Sequence, residues 1–273
     1  MFEQIAKNLA TLKQEFSQSY VGHSHIQEFI PISASDSFPI NDSHLKLLHN
    51  FARNNPIYHN SHEQKIMNVL CRVYEGDINE YWLNSIKHSS SCQPFYPTWI
   101  FSAYIAVSIA KHFDYNELID IGSGDGRIAY CAKILDLQTT SIEIDKTLVD
   151  LQNIILNATK VDFNPICADA TEFDYSLLNL TRSIFFIGGL PQMGGDILAT
   201  NIIKKIPETN LKNTCIVFAG TNSKRQLSDN QSNGGWSSLI DKYALKVIKT
   251  VSLPTVWTFD QISDTPYIYT EFT

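Results

Sequence analysis

The glycine-rich stretch LIDIGSGDG at residues 118–126 constrains most strongly how this chain can fold. Its apolar start predicts a buried strand, and a helical pattern follows from Arg127. Because glycine has no Cβ and tolerates positive φ, glycines on alternate positions let the backbone pass close to a ligand. The next helix begins with free N–H groups. The carboxylates of Asp120 and Asp125 repel phosphate, so the turn favours a ligand with hydroxyl groups and a positive charge.

From this stretch onward, apolar strands alternate with helical segments. We predict strands at 118–121, 139–144, 164–168, 183–188 and 213–219, with helices at 127–135, 148–158 and 196–206. Continuous apolar strands separated by helices indicate a parallel sheet covered on both faces. Two last strands, at 246–253 and 267–272, have a short connection that favours an antiparallel hairpin. The sequence therefore predicts an α/β fold with a mostly parallel seven-stranded sheet and an antiparallel C-terminal hairpin.

The first third of the chain has a different character, with little strand-like alternation. We interpret residues 1–93 as a mainly helical accessory region that shapes the substrate site, and residues 94–273 as the ligand-binding domain. Helices are predicted at 1–20, 43–54, 61–75 and 77–88, with Asn60 and Ser61 as a candidate N-cap for the third. His59 and His62 would share a face of a helix and could ligate a metal. Their spacing matches no zinc-protease motif and no third ligand is apparent, so a structural or surface role is favoured and no metal is expected.

Composition excludes some classes of function. The formal net charge of −7 argues against non-specific binding to a nucleic-acid backbone, although a local basic patch stays open. The five cysteines are scattered without a C-x-x-C pair, which indicates reduced thiols in the cytoplasm. The longest apolar stretch, at 99–110, is too short to span a bilayer, and no signal peptide is visible, so no membrane partner is expected.

Three ligands compete for the glycine turn. A Walker phosphate loop needs a lysine after its glycines, and none follows here. A dinucleotide fingerprint needs G-x-G-x-x-G, whereas this turn is G-x-G-x-G. S-adenosylmethionine explains more of the sequence, because Glu143 ends the second strand and can accept both hydrogen bonds from a ribose diol. Asp169 closes the third strand and could accept a hydrogen bond from an adenine amine.

The segments 117–127, 141–145 and 168–170 resemble the first three motifs of class I S-adenosylmethionine-dependent methyltransferases. The resemblance implies a Rossmann-like sheet and S-adenosylmethionine as the cofactor. It places the glycine turn along the methionine part, with Asp120 near the ammonium, Glu143 at the ribose, and Asp169 with Ala170 around the adenine. The candidate cofactor-binding residues are Tyr96, Pro97, Thr98, Asp120, Gly122, Ser123, Gly124, Asp125, Gly126, Glu143, Ile144, Asp169, Ala170 and Gly188.

A narrower resemblance involves the stretch FYPT at 95–98, which precedes a predicted helix and the glycine motif. It is similar to the pre-motif segment of small archaeal and mitochondrial protein-lysine methyltransferases, in which this segment lies over the cofactor. That makes Tyr96, Pro97 and Thr98 candidate contacts. This chain differs in having Trp99 where a second proline is usual, and in its long N-terminal region. The alternative is an ordinary helix start with Thr98 as the N-cap.

The segment IGGLPQMGGD at 187–196 follows the fourth strand, where methyltransferases differ in their acceptors. It lacks the Asn/Asp-Pro-Pro-Tyr motif of amide and exocyclic-amine enzymes, the Pro-Cys nucleophile of base C5 enzymes, and the aspartate of aminopropyltransferases. No catalytic residue can be named, and Asp196 is interpreted as a helix N-cap. A good nucleophile is then implied, either a protein lysine whose amine is desolvated or a small-molecule amine or thiol. A methyltransferase-like protein that binds without catalysing, as a scaffold, stays an alternative.

The long polar segment at 220–236 is a candidate lid beside the acceptor pocket. Trp236 at its end could line that pocket or anchor the segment in the core.

Overall fold

The computed structural model describes residues 2–22, 24–85, 94–221, 232–255 and 264–273. Its N-terminal part combines helices with a three-stranded antiparallel sheet of order β1-β3-β2. The elements are α1 (Phe2–Ser19), β1 (Ile26–Pro31), α2 (Asp42–Asn54), β2 (Tyr58–Ile66), β3 (Val69–Gly76) and α3 (Asn79–Ser85).

The helix predicted at 43–54 is confirmed, but the one at 61–75 is wrong. That segment forms the β2–β3 hairpin, so Asn60 and Ser61 lie in a strand and cap no helix. The hairpin turns at Met67, a non-glycine residue with φ of 51°, and it lacks the Asn-Gly or Asp-Gly signal of tight hairpins. Its stability comes from β3 lying between two partner strands, which local periodicity does not reveal. The description of residues 1–93 as mainly helical is corrected accordingly.

A seven-stranded sheet forms the second part of the chain. Its elements are α4 (Ile100–His112), β4 (Glu117–Ile121), α5 (Arg127–Ile134), β5 (Gln138–Glu143), α6 (Lys146–Thr159), β6 (Asn164–Cys167), β7 (Ser183–Ile187), α7 (Gly195–Lys205), α8 (Glu208–Leu211), β8 (Thr214–Ala219), α9 (Ser237–Lys242), β9 (Leu245–Pro254) and β10 (Asp264–Phe272). The strand order is β6-β5-β4-β7-β8-β10-β9. Strands β4 to β8 are parallel, and β10 is antiparallel to both β8 and β9. The predicted Rossmann-like, mostly parallel sheet with an antiparallel C-terminal hairpin is confirmed.

The central strands are buried along their whole length, as their continuous apolar sequences require. Every residue of β4, β7 and β8 is buried. The strand order reverses at β4, whose neighbours are β5 and β7. A reversal of this kind opens a crevice at the carboxyl ends of the strands, which is where open α/β sheets bind their ligands.

Helix α4 joins the two parts of the chain. It is buried on nearly all sides, because the sheet covers one face and the N-terminal segment covers the other. Phe29 of β1 packs edge-on against Trp99 with ring centroids 4.6 Å apart, and Phe38 lies 5.6 Å from Phe101. One cluster of buried side chains therefore runs through both parts, and a domain boundary near residue 93 stays a prediction. Among the helices of the described ranges, none combines the length and the apolar character that crossing a membrane requires.

Candidate functional site

A cleft opens at the carboxyl ends of β4 to β7 and encloses about 1060 Å³ of empty space, including its open mouth. It brings together nearly all of the residues predicted for the site. Those that line it are Tyr96, Pro97, Thr98, Asp120, Gly122, Ser123, Gly124, Asp125, Glu143, Ile144, Asp169, Ala170 and Gly188.

Gly126 is the predicted site residue that does not line the cleft. Gly126 has φ of 78° and precedes α5 as its N-cap. A Cβ there would lie 2.9 Å from both Gln152 Cγ and Phe163 Cζ. Its glycine character lets α5 start tightly against α6, a packing function.

The other two glycines of the turn shape the cleft itself. Gly122 has φ of 64°, and a Cβ on it would meet nothing within 4 Å. Gly124 has φ of 57°, and its Cβ would lie 2.7 Å from Cε2 of Phe95. Both backbones are in the left-handed region that disfavours other residues. Phe95, in the segment at 94–98, therefore packs directly on the glycine turn.

Glu143 ties the end of β5 to the glycine turn. Its Oε2 accepts a hydrogen bond from Gly124 N (2.8 Å), and its Oε1 accepts one from Asp145 N (3.0 Å). Burial raises the pKa of this carboxyl, and the two N–H groups oppose that rise. Each carboxylate oxygen keeps a further lone pair, so a diol in the cleft can still donate to it.

Gln152 of α6 is a supporting residue that the sequence analysis missed. Its side chain is fully buried, and its amide donates to Ser123 Oγ (2.9 Å) and to the carbonyl of Gly124 (2.7 Å). Its Oε1 accepts from Ser141 Oγ (2.7 Å). One signal was available, because Gln152 is a polar residue on the apolar face of the helix predicted at 148–158.

Asp120 is buried at the base of the cleft, with only 2% of its surface exposed. Its Oδ2 accepts a hydrogen bond from Ala129 N at 3.1 Å. Burial, and to a smaller extent the nearby carboxylates of Glu143 and Asp125, raise its pKa to about 8, although the hydrogen bond from Ala129 N opposes the rise. A positive charge bound beside Asp120 would favour its ionised form and lower this pKa.

The raised pKa of Asp120 predicts a specific dependence of stability on pH. The folded carboxyl keeps its proton up to about pH 8, whereas the unfolded chain releases it near its ordinary pKa of about 3.9. The contribution of Asp120 to the free energy of unfolding is present below that lower value and is lost as pH rises toward the upper one. Asp120→Asn removes the titration and keeps an oxygen for the Ala129 N–H.

We therefore expect wild type to lose more stability than Asp120→Asn between about pH 5 and pH 8, as measured by urea denaturation. Comparing the two proteins cancels the contributions of the other buried carboxyls. Equal slopes would show that Asp120 does not titrate abnormally.

Asp169 lies half-buried at the end of β6. Its Oδ1 accepts hydrogen bonds from the backbone N (2.8 Å) and from Oγ1 (2.6 Å) of Thr171. These two bonds orient the carboxylate at the wall of the cleft, next to Ala170.

Arg127 forms a buried ion-pair network beneath the glycine turn. With 2% of its surface exposed, its guanidinium donates to both carboxylate oxygens of Asp125, from Nε (2.9 Å) and from Nη2 (2.5 Å). Its Nη1 donates to Oε1 of Glu28 (2.6 Å) and to the carbonyl of Thr98. A bidentate contact of this kind fixes the direction of the Asp125 side chain.

The N-terminal part of the chain supplies the rest of this network. Oε2 of Glu28 accepts from Ile100 N (2.7 Å), and the hydroxyl of Tyr58 donates to Oε1 of Glu28. Asn55 Nδ2 donates to Oδ2 of Asp125 (2.8 Å). The hypothesis of Thr98 as an N-cap is wrong, because α4 begins at Ile100 and Glu28 satisfies its first N–H group.

Closely packed glycines form the wall of the cleft after β7. A Cβ on Gly195 would lie 2.4 Å from the carbonyl oxygen of Gly189, so this approach requires glycine. Helix α7 begins at Gly195, with Gly194 as its N-cap. Asp196 lies in the first turn of this helix. The interpretation of Asp196 as the N-cap is wrong.

Trp236 anchors the end of the long segment after β8. Its side chain is fully buried, stacks on Phe218 with centroids 4.5 Å apart, and donates from Nε1 to the carbonyl of Ala219 (3.0 Å). Of the two roles considered for Trp236, the anchor is the one observed. Of the candidate lid at 220–236, residues 222–231 lie outside the described residues, so its role as a lid stays a prediction.

The histidine pair considered for a metal does not lie on a helix. His59 and His62 are both in β2, and Nδ1 of His62 lies 3.8 Å from Oε2 of Glu75. Within the described ranges, no group of three or more His, Cys, Asp and Glu side chains could hold a metal ion.

The mostly parallel seven-stranded sheet with its antiparallel C-terminal hairpin is the fold that the resemblance to class I methyltransferases implies, so that fold is confirmed. Similar solved structures include the magnesium protoporphyrin IX methyltransferase of Synechocystis PCC 6803 with bound S-adenosylmethionine (8% identity, TM-score 0.45, covering 64% of this chain and 78% of that one). A putative RNA methyltransferase from Pyrococcus horikoshii has 16% identity and a TM-score of 0.46, covering 71% of this chain and 99% of that one.

A ribosomal protein L11 methylase from Lactobacillus delbrueckii subsp. bulgaricus has 10% identity and a TM-score of 0.44, covering 63% of this chain and 77% of that one. No protein-family model matches this sequence, and no curated protein matches it significantly. The similar structures are named for acceptors as different as a porphyrin, RNA and a ribosomal protein. Similarities at this level do not identify the acceptor of this chain.

Proposed function

We propose that this chain is an S-adenosylmethionine-dependent methyltransferase. The observation that carries the proposal is that Asp120, Glu143 and Asp169, from the ends of three neighbouring strands, line one cleft together with the glycine turn. Such a cleft offers acceptors for an ammonium, a diol and an exocyclic amine, which are the polar groups of S-adenosylmethionine. In their ionised form the same groups would repel the phosphates of a nucleotide.

Different residues of the cleft would bind different parts of S-adenosylmethionine. Glu143 would accept from the ribose hydroxyls, with Ile144 beside the sugar, and Asp169 with Ala170 would flank the adenine. Asp120 would face the ammonium of the methionine part, along the backbone of Gly122 and Gly124. The bound cofactor would supply an activated methyl group, and the cleft's task is to hold the acceptor in line with it.

We propose an amine as the acceptor, in the first place a protein lysine. At the end of β7 the described residues that line the cleft are Phe186, Gly188, Gly189 and Leu198, which include no acid, histidine or cysteine. An apolar wall lowers the pKa of an amine and thereby frees its lone pair without a base. A small-molecule amine, thiol or hydroxyl is the alternative acceptor, and a non-catalytic scaffold is the alternative function.

Calorimetry with S-adenosylmethionine tests the cofactor. We expect saturable binding to the wild type and a loss of about 1.5–3 kcal/mol in Glu143→Gln, or roughly 10- to 150-fold in Kd, because a charged acceptor of the diol is lost. Asp150→Asn is the matched control, since Asp150 lies on the exposed side of α6 and pairs with Lys146. The Asp150→Asn variant should bind S-adenosylmethionine with the wild-type affinity. Absence of binding at millimolar ligand would overturn the proposal.

The acceptor is tested by incubating the protein and a cell extract with cofactor carrying a labelled methyl group. We expect label in the protein fraction, recovered as methyllysine after hydrolysis. Label only in small molecules would contradict a lysine acceptor. Binding without any transfer would favour the scaffold.

A further inference from the structure

A second cavity, separate from the cleft, lies on the N-terminal part of the chain. It encloses about 750 Å³, including its open side, and shares no lining residue with the cleft. Its walls come from α2, from β3 and from the residue after β1. The lining residues are Ile32, Lys46, His49, Asn50, Arg53 and Arg72. Among the described residues that line it there are three cations and no acid, in a chain whose net charge is −7.

Two buried hydrogen bonds fix the His49 side chain in the wall of this cavity. His49 is 5% exposed, and its Nε2 lies 3.1 Å from the carbonyl oxygen of Pro31, which can only accept. Its Nδ1 therefore accepts from the hydroxyl of Tyr74, at 2.8 Å. The Tyr74 hydroxyl therefore donates its single proton to this hydrogen bond. Burial raises the pKa of Tyr74 to about 12, and the positive charges of Arg53 and Arg72 nearby oppose that rise. Arg53 itself is exposed and lines the cavity beside His49.

The remaining donors face the same space. Lys46, Asn50 and Arg53 are spaced by four and three residues along α2, so they share one face of the helix. The side chains of Lys46 and Asn50 make no hydrogen bond to any described residue, so their donors are available. Arg72 comes from β3, and its Nη2 contacts Oε1 of Glu63 at 2.5 Å, in a pair whose acid is half-exposed.

We propose that this cavity binds a phosphate group, as inorganic phosphate or as a phosphate monoester. Two guanidinium groups and one ammonium converge from two elements, with an amide between them, which suits an anion with several acceptor oxygens. Guanidinium groups match the oxygens of a phosphate in pairs, and the lysine adds a point charge. Because the cavity and the cleft share no residue, this proposal does not depend on the function proposed for the cleft.

The test is calorimetric titration of the full chain with inorganic phosphate, at constant ionic strength set with chloride. We expect saturable binding of one phosphate, weakened about tenfold in Arg53→Gln, since a hydrogen bond to a charged group is lost. Lys46→Gln, which leaves the hydrogen bonds of His49 to Tyr74 and Pro31 intact, should also weaken binding. Arg182→Gln is the matched control, because Arg182 is a half-exposed arginine near β7 that pairs with Asp114.

A second titration uses O-phosphoserine as a simple monoester and distinguishes the two sources of the phosphate group. Equal or tighter binding of the monoester favours a phosphate carried by a larger molecule, and exclusion of it favours the free ion. Circular dichroism of each variant shows whether it folds. The proposal is overturned if phosphate does not saturate the protein, or if Arg182→Gln weakens binding as much as Arg53→Gln does.

Discussion

Replacing Glu28 by alanine is expected to lower the free energy of unfolding by about 3–5 kcal/mol. Glu28 is 1% exposed and pairs with Arg127, which is itself 2% exposed. Its removal leaves part of a buried guanidinium charge uncompensated and takes away the acceptor of Ile100 N. Both changes leave buried polar groups unsatisfied, and this dominates the cost.

Urea denaturation measures this loss, and Glu63→Ala is its matched control. Glu63 also belongs to the N-terminal sheet and also pairs with an arginine, but half of its side chain is exposed. Solvent screens such a pair, so its loss should cost no more than about 1 kcal/mol. Equal losses in the two variants would contradict a special role of the buried network.

The Glu28 variant should also bind S-adenosylmethionine more weakly, although Glu28 does not line the cleft. Arg127 holds Asp125 in the glycine turn through two hydrogen bonds, and Glu28 holds Arg127. Losing Glu28 therefore loosens the turn itself. Glu28→Gln keeps the shape and an acceptor oxygen, so it should lie between alanine and wild type. If folded Glu28→Ala bound the cofactor normally, the network would stabilise the fold without positioning the turn.

Gly124→Ala is expected to have the second large effect. Its backbone has φ of 57°, a conformation that costs an ordinary residue about 1–2 kcal/mol. Its Cβ would lie 2.7 Å from the ring of Phe95, and such overpacking adds about 1–3 kcal/mol. We expect unfolding at lower urea concentration and loss of cofactor binding, because Phe95 and the segment over the cleft must move.

A double-mutant cycle separates the two causes. Adding Phe95→Ala to Gly124→Ala should relieve the clash and leave the backbone cost, so the two losses should not add. Gly188→Ala is the control for stability, since a Cβ there meets nothing within 4 Å. Additive losses in the double mutant would show that Phe95 does not constrain the turn.

The sheet could be predicted because its information is local. The strands β4, β7 and β8 are continuous apolar runs, and helices with the matching period separate them. Their direction follows from the length of the connections. Once the sheet was predicted, Asp120, Glu143 and Asp169 had to meet, because each one lies at or near the carboxyl end of a parallel strand.

The hairpin at 58–76 could not be predicted in the same way. The strand β2 is mostly exposed and its turn has no glycine, so its pairing depends on β3 and, beyond it, on β1. The residues that pair between β1 and β3 are 40 to 50 positions apart along the chain, so nothing within either strand signals the pairing. The hydrogen bonds that Glu28, Asn55 and Tyr58 make at the glycine turn could not be predicted either. Their partners are 99, 70 and 69 residues away along the chain.

The sequence by itself determined the parallel sheet, its antiparallel hairpin and the set of side chains around the cleft, because short-range periodicity and the geometry of parallel strands decide these. Only the tertiary structure decided what holds the glycine turn in place. A buried arginine needs acids from distant parts of the chain, since burial makes an unpaired charge too costly. The N-terminal part supplies Glu28 for that purpose, and it thereby becomes part of the support of the turn at 118–126.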